Sequence, residues 1–191
     1  LQLVGDSAGE TGTRVDWTGP EDGVVLRLGG PSHATLRDFY IHAGPARALV
    51  VDHCDQPGGR VLADQLNVNG PARGSSNAAA LRLTGLDHTD VLLRCLQGSG
   101  NGGRWVEVLG GPTAAEATNQ ISIFTGATGS AAGQYDVRQG GRLVVRGVYH
   151  ERSSDSLHGL RLADAGTLSI DATRFSYATS PAAPTVAAAG F

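Results

Sequence analysis

The chain has 191 residues, 40% of them hydrophobic and 17% charged, with a net charge of −3, which suits one globular domain rather than a disordered segment. All 15 basic residues are arginine, so lysine Schiff-base and P-loop chemistry are excluded, and the acidic balance gives no footprint for nucleic acid. No apolar stretch approaches the roughly 20 residues that span a bilayer as a helix.

Only 5% of residues are aromatic and 28 are glycine, so the core must be Leu, Val, Ile and Ala in thin layers joined by many turns. In chain order the apolar segments repeat one theme of strand, polar turn, strand and Gly-rich loop. It opens with Leu3-Val4 and Thr13-Arg14-Val15. Val24–Leu28 then leads through Gly-Gly-Pro-Ser-His into Thr35–Ile41. Ala48–Val51 leads through Pro57-Gly58-Gly59 into Val61–Val68, and Ala80–Leu83 through Thr-Gly-Leu-Asp-His into Val91–Leu96. Trp105–Val108 with Ile121–Phe124, Tyr135–Val137 with Leu143–Val145, and Leu160–Leu162 with Leu168–Ile170 complete the series.

With Leu26, Leu49, Leu81, Val106, Val137 and Leu162 as equivalents the spacings are 23, 32, 25, 31 and 25, a period that belongs to solenoids. The segments are too short for helices and alternate with period two. In Leu26-Arg27-Leu28, Leu81-Arg82-Leu83 and Leu160-Arg161-Leu162 the leucines share an inner face and the arginines an outer one. Glu107 and Asp136 fall at comparable outward positions and are expected to relieve the repulsion of stacked arginines. Ala114–Ala117 offers one helical turn at most. The pattern predicts an all-β, right-handed parallel β-helix of about five to six coils over residues 1–178, with a linker or tail over 179–191. It also suggests an excerpt of a longer protein, consistent with a sequence that lacks methionine throughout.

Cys54 and Cys95 read as small buried hydrophobes. The repeat puts them on different strands of successive coils, beyond the Cα separation of about 7 Å that a disulfide tolerates, so no bond is expected.

Two acidic clusters, Asp52/His53/Asp55 and Asp87/His88/Asp90, fall on adjacent coils, where neighbouring strands lie about 4.8 Å apart. Grouped carboxylates there suit Ca²⁺ or acid–base work, with Asp52, Asp55 and Asp90 as the catalytic candidates and Asp52 and Asp55 as the metal candidates. The competing reading makes them ordinary turn residues that cap local backbone, and no cofactor is then expected. A third cluster joins Tyr149, His150, Glu151 and Arg152 to Arg146, Asp155 and His158, a set suited to ring stacking and hydroxyl contacts with sugar. Trp105 either stacks on sugar beside a loop or packs in the core. The loops 70–79, 109–120 and 125–134 are rich in Gly, Ala, Ser and Thr and are expected on one binding face.

Leu3-Val4-Gly5-Asp6, Thr13-Arg14-Val15 and Gly23–Leu26, taken with the repeats, make residues 1–177 resemble the right-handed parallel β-helix proteins of the pectate-lyase superfamily. That resemblance implies a secreted or surface protein that acts on, or adheres to, long polysaccharides. Val50-Val51-Asp52-His53 partly matches the Val-Trp-Ile-Asp-His element of pectate lyases, without its tryptophan. The Arg-x-Pro-x-x-Arg element is absent. Of the polygalacturonase motifs only His88-Thr89-Asp90 and Leu157-His158-Gly159 offer partial echoes. The expectation is therefore a non-catalytic, extracellular or cell-surface module that binds polysaccharide, its other partners being the rest of its parent protein or a neighbouring β-helix chain. A fragment of a polysaccharide lyase or glycoside hydrolase, and a structural fibre or phage tail-spike segment, are the alternatives.

Overall fold

The structure is a computed structural model that describes residues 1–9, 11–30, 33–70, 79–99, 103–129, 133–152, 160–177 and 186–189. Among these the chain is all-β, a parallel solenoid of about five turns. Short strands alternate with long ones. The short strands are β3 (Val24–Gly29), β5 (Arg47–Asp52), β7 (Ala79–Thr84), β9 (Arg104–Leu109), β11 (Gly133–Arg138), β13 (Leu160–Ala163) and β16 (Val186–Ala189). They stack in the order β16-β13-β11-β9-β7-β5-β3. Between them run the long strands β4 (His33–His42), β6 (Arg60–Asn69), β8 (Asp90–Ser99), β10 (Ile121–Gly129) and β12 (Arg142–Arg152), which stack on one another in a second parallel sheet. A single 3₁₀ turn, Ala114–Glu116, is the only helical element among the described residues.

Each long strand is two arms joined by a corner. Asp38, Gln65, Cys95, Thr125 and Gly147 occupy successive register positions in β4, β6, β8, β10 and β12, and every one has a positive φ, between 50° and 68°. The left-handed residue swings the chain and puts two consecutive side chains outside, as with Arg37 and Asp38. At the two ends of the stack the arms are separate strands. β1 (Gln2–Val4) pairs with the first arm of β4 and β2 (Arg14–Asp16) with its second arm. β14 (Thr167–Asp171) and β15 (Arg174–Tyr177) do the same on β12. The coil therefore has three outer faces: the short sheet and the two arms.

Inside, like stacks on like. Leu3, Leu36, Ala63, Leu93, Ile123, Val145 and Ile170 form one file, and Leu28, Val51, Leu83, Val108, Val137 and Leu162 another. Period-two alternation places them inward, and a fully buried Leu of this kind stabilises by about 1.5–3 kcal/mol. Gly98 and Gly126 interrupt two further files at φ +145° and +137°, where an added Cβ would meet a neighbouring carbonyl oxygen at 2.0 Å. Burial is complete in the middle coils, while Leu26, Leu160, Leu168 and Ile170 are partly buried.

The register corrects the repeat read from sequence. Leu26, Leu49, Leu81 and Val106 stack as expected, but the next members are Tyr135 and Leu160. Val137 and Leu162 lie two residues further on in the neighbouring inner file, because a slip of two keeps the same face and leaves the alternation unchanged. The segment 125–134, read as a loop, continues β10 to Gly129. Val186–Ala189, read as tail, pair in parallel with β13. Both cysteines are free thiols. Cys54 is buried as expected, whereas Cys95 is exposed because it is the corner residue of its strand.

Candidate functional site

The outer face of the short sheet carries one column along the stack: Arg27, Val50, Arg82, Glu107, Asp136 and Arg161. Parallel in-register pairing sets these residues about 4.8 Å apart, close enough for charges to choose partners across coils. Glu107 is buried and takes ion pairs from Arg47 at 3.6 Å, Arg82 at 3.3 Å and Arg138 at 2.7 Å. Asp136, also buried, takes Arg104 at 3.2 Å, Arg138 at 2.9 Å and Arg161 at 3.6 Å. Five arginines thus surround two carboxylates, an excess of three positive charges. Burial pushes the Arg47 and Arg104 guanidinium pKa values down, which is the cost of holding a cation away from water.

An open groove of about 960 Å³ lies over the β3, β5 and β7 end of this column. Arg27, Arg47, Val50 and Arg82 lie along it, with Asp52, His53 and Asp55 from the turn after β5 and the loop 110–113 also lining it. That volume is at the upper end of the range for small-molecule sites, about 300–1,000 Å³.

The acidic candidates are brought close, but each is engaged. Asp52 accepts from Arg27 through both oxygens, at 3.0 and 2.7 Å. Asp55 accepts from the His88 backbone N–H at 2.6 Å and contacts His88 Nδ1 at 3.1 Å. Asp90 faces Arg60 at 3.6 Å. Asp87 accepts from Gly111 N–H and the Thr113 hydroxyl, and Thr89 donates to the Cys54 carbonyl at 2.8 Å. The turns of successive coils are thus tied to one another, the capping role that Asp and Thr side chains play in turns. Among the described residues no group of three or more His, Cys, Asp or Glu side chains is placed to hold a metal.

The third cluster divides. Tyr149 and Glu151 are exposed on the second arm and line a smaller groove of about 240 Å³ with Asn67, Asn69 and Gln97. Trp105 and His150 are corrections: both are buried, at 0% and 1% exposure. Their rings lie 6.0 Å apart and both contact Tyr135, whose hydroxyl is 3.0 Å from His150 Nε2. Neither offers a ring to a ligand in solution. Desolvation holds His150 down at about 4 and raises Tyr135 well above the usual phenol range. The Arg152 side chain, Asp155 and His158 lie outside the described residues, as do most of loop 70–79 and the polygalacturonase-like Leu157-His158-Gly159.

Two sets of residues escaped the sequence reading. Arg47 and Arg104 sit off the outer column and reach its acids only through the coil-to-coil register, while Arg138 reaches Asp136 along its own strand and Glu107 across coils. Asn67 and Gln97 carry a signal that was available: each lies six residues after the first inward residue of its long strand, Val61 and Val91, the same offset that separates Tyr149 from Leu143.

The class these features define is a parallel β-solenoid with a groove that carries three arginines on one outer face and a smaller polar groove, with the single carboxylate Glu151, on another. Comparison with known proteins finds no family model that matches the chain, no curated relative and no similar solved structure. What supports the resemblance to pectate-lyase-like proteins is thus the parallel solenoid.

Proposed function

We propose that the chain is a non-catalytic module, extracellular or on a cell surface, that binds an acidic polysaccharide along the groove of the short sheet. The observation that carries the reading is an open groove lined by Arg27, Arg47 and Arg82 against the two carboxylates Asp52 and Asp55, beside the Glu107–Asp136 network in which five arginines face two acids. Guanidinium forks match carboxylates and sulfates in geometry as well as charge. Catalysis would need a base free to take a proton from the substrate, and Asp52, Asp55 and Asp90 each already face a cation or a donor. The extracellular placement rests on the resemblance to secreted β-helix proteins.

Calorimetric titration with oligogalacturonates tests this. Binding is expected to weaken as salt rises and to fall roughly tenfold in Arg82→Gln, the loss of one charge-assisted contact. No unsaturated product should accumulate, with or without added Ca²⁺. Turnover that disappears in Asp52→Ala would replace the module reading with a lyase.

A further inference from the structure

We propose that the second arm of the long sheet carries a separate subsite for an uncharged sugar ring, held in the groove between Gln97 and Tyr149. The inference does not depend on the arginine groove, which lies on a different sheet.

The register builds this subsite from two outward columns, Asn67–Gln97–Ala127–Tyr149 and Asn69–Ser99–Gly129–Glu151. Ala127 and Gly129 supply almost no side chain at the level of β10. They leave a dip walled by amides on one side and by Tyr149 and Glu151 on the other. Its volume, about 240 Å³, lies just below the usual range for a whole small-molecule ligand and suits a short stretch of a longer chain.

The buried Oδ1 of Asn67, on the wall of the dip, has no hydrogen-bond partner. Hydroxyl groups of a sugar both donate and accept, so they can pair with the amides of Asn67 and Gln97 and with the Glu151 carboxylate at once. Asn69 is already oriented, because its Nδ2 donates to the Tyr40 hydroxyl at 2.6 Å.

Tyr149 supplies the apolar contact. The Arg174 guanidinium sits over one side of its ring at 5.8 Å from the centroid. The neighbour on the other side in the column is Ala127, which leaves that side clear for the C–H face of a pyranose. Charge selects against the acidic chains proposed for the other groove. Among the described residues Glu151 is the only charged side chain lining this one, and it would repel a carboxylate or sulfate.

The test is titration of the full chain with cellohexaose, xylohexaose and maltohexaose, followed by amide NMR shifts and calorimetry. At least one should bind, with the largest shifts at Gln97, Ala127 and Tyr149. Tyr149→Ala should weaken that binding at least tenfold. Gln97→Ala should weaken it roughly threefold to tenfold, the worth of one hydrogen bond, without lowering the melting temperature. Tyr149→Ala should leave oligogalacturonate binding unchanged, and Arg82→Gln should leave the neutral sugar unchanged, so the two sites stand or fall separately. No binding of any of the three at millimolar concentration, or binding indifferent to both Tyr149→Ala and Gln97→Ala, would overturn the proposal.

Discussion

The outer face of the short sheet and the second arm of the long sheet arise from the same in-register stacking, yet they use it in opposite ways. On the short sheet the column places Arg27 and Arg82 on one side of Glu107 and Asp136, with Arg161 on the other. Every ion pair of Glu107 crosses from one coil to another, and Arg138 joins both acids. On the arm, Asn67, Gln97 and Ala127 succeed one another without charge, so no residue depends on its neighbour for neutralisation. The difference teaches that one backbone ladder can either lock coils together or leave polar groups available. Which of these happens depends on whether the outward residue carries a charge that needs a counter-charge.

The largest expected effect breaks the charged column. Glu107→Ala removes the counter-charge of Arg47 and Arg82, leaving these partly buried guanidinium groups without an acid and Arg138 held by Asp136 alone. Removing one partner of a buried ion pair costs about 3–5 kcal/mol, read as a shift in the urea midpoint. The matching change on the arm, Gln97→Ala, should stay within about 0.5 kcal/mol, as for an ordinary surface position. Similar losses in both variants would erase the contrast.

Acidification should act beneath the arm. Burial holds His150 at about 4, whereas an exposed histidine titrates near 6.5. Between those values the unfolded chain binds a proton that the folded chain does not, so stability rises with pH through this window. It is full above about pH 6.5 and falls by up to about 3 kcal/mol as the pH drops to 4. Urea midpoints across that range should show the slope, and His150→Gln should flatten it. An unchanged slope in that variant would assign the acid sensitivity elsewhere.

The smallest effect reports on the corner between the two arms. Cys95 should react with a maleimide in the folded protein, with a stability change below about 0.5 kcal/mol. Cys54 should react only after unfolding, since burial raises its thiol pKa and hides the sulfur. Two fast thiols, or none, would show that the corner does not turn Cys95 outward.

Much of this architecture is legible in the bare residues. Leu26-Arg27-Leu28 and Leu81-Arg82-Leu83 announce strands with a buried and an exposed side, and their recurrence announces stacking. The outward placement of Glu107 and Asp136 among arginines could be anticipated from the same alternation, and the structure pairs them so. The corner was not legible, because Asp38, Gln65, Cys95, Thr125 and Gly147 share a backbone conformation and no side-chain chemistry. The partners of the acidic turns were not legible for a related reason. Asp52, Asp55 and Asp90 look like a ligand set in sequence, but their partners, Arg27, His88 and Arg60, come from neighbouring coils.

The amino-acid sequence by itself determined the strand alternation, the aliphatic core and the repeat, because each follows from which residues prefer water at a spacing of two. Only the tertiary structure decided the register, since a slip of two residues leaves the alternation intact while changing every neighbour along the stack. Register set Trp105 beside His150 in the core, gathered five arginines about two acids, and opened a dip at Ala127 between Gln97 and Tyr149. Those contacts depend on distances of a few ångströms between residues some 30 positions apart, which local preference does not encode.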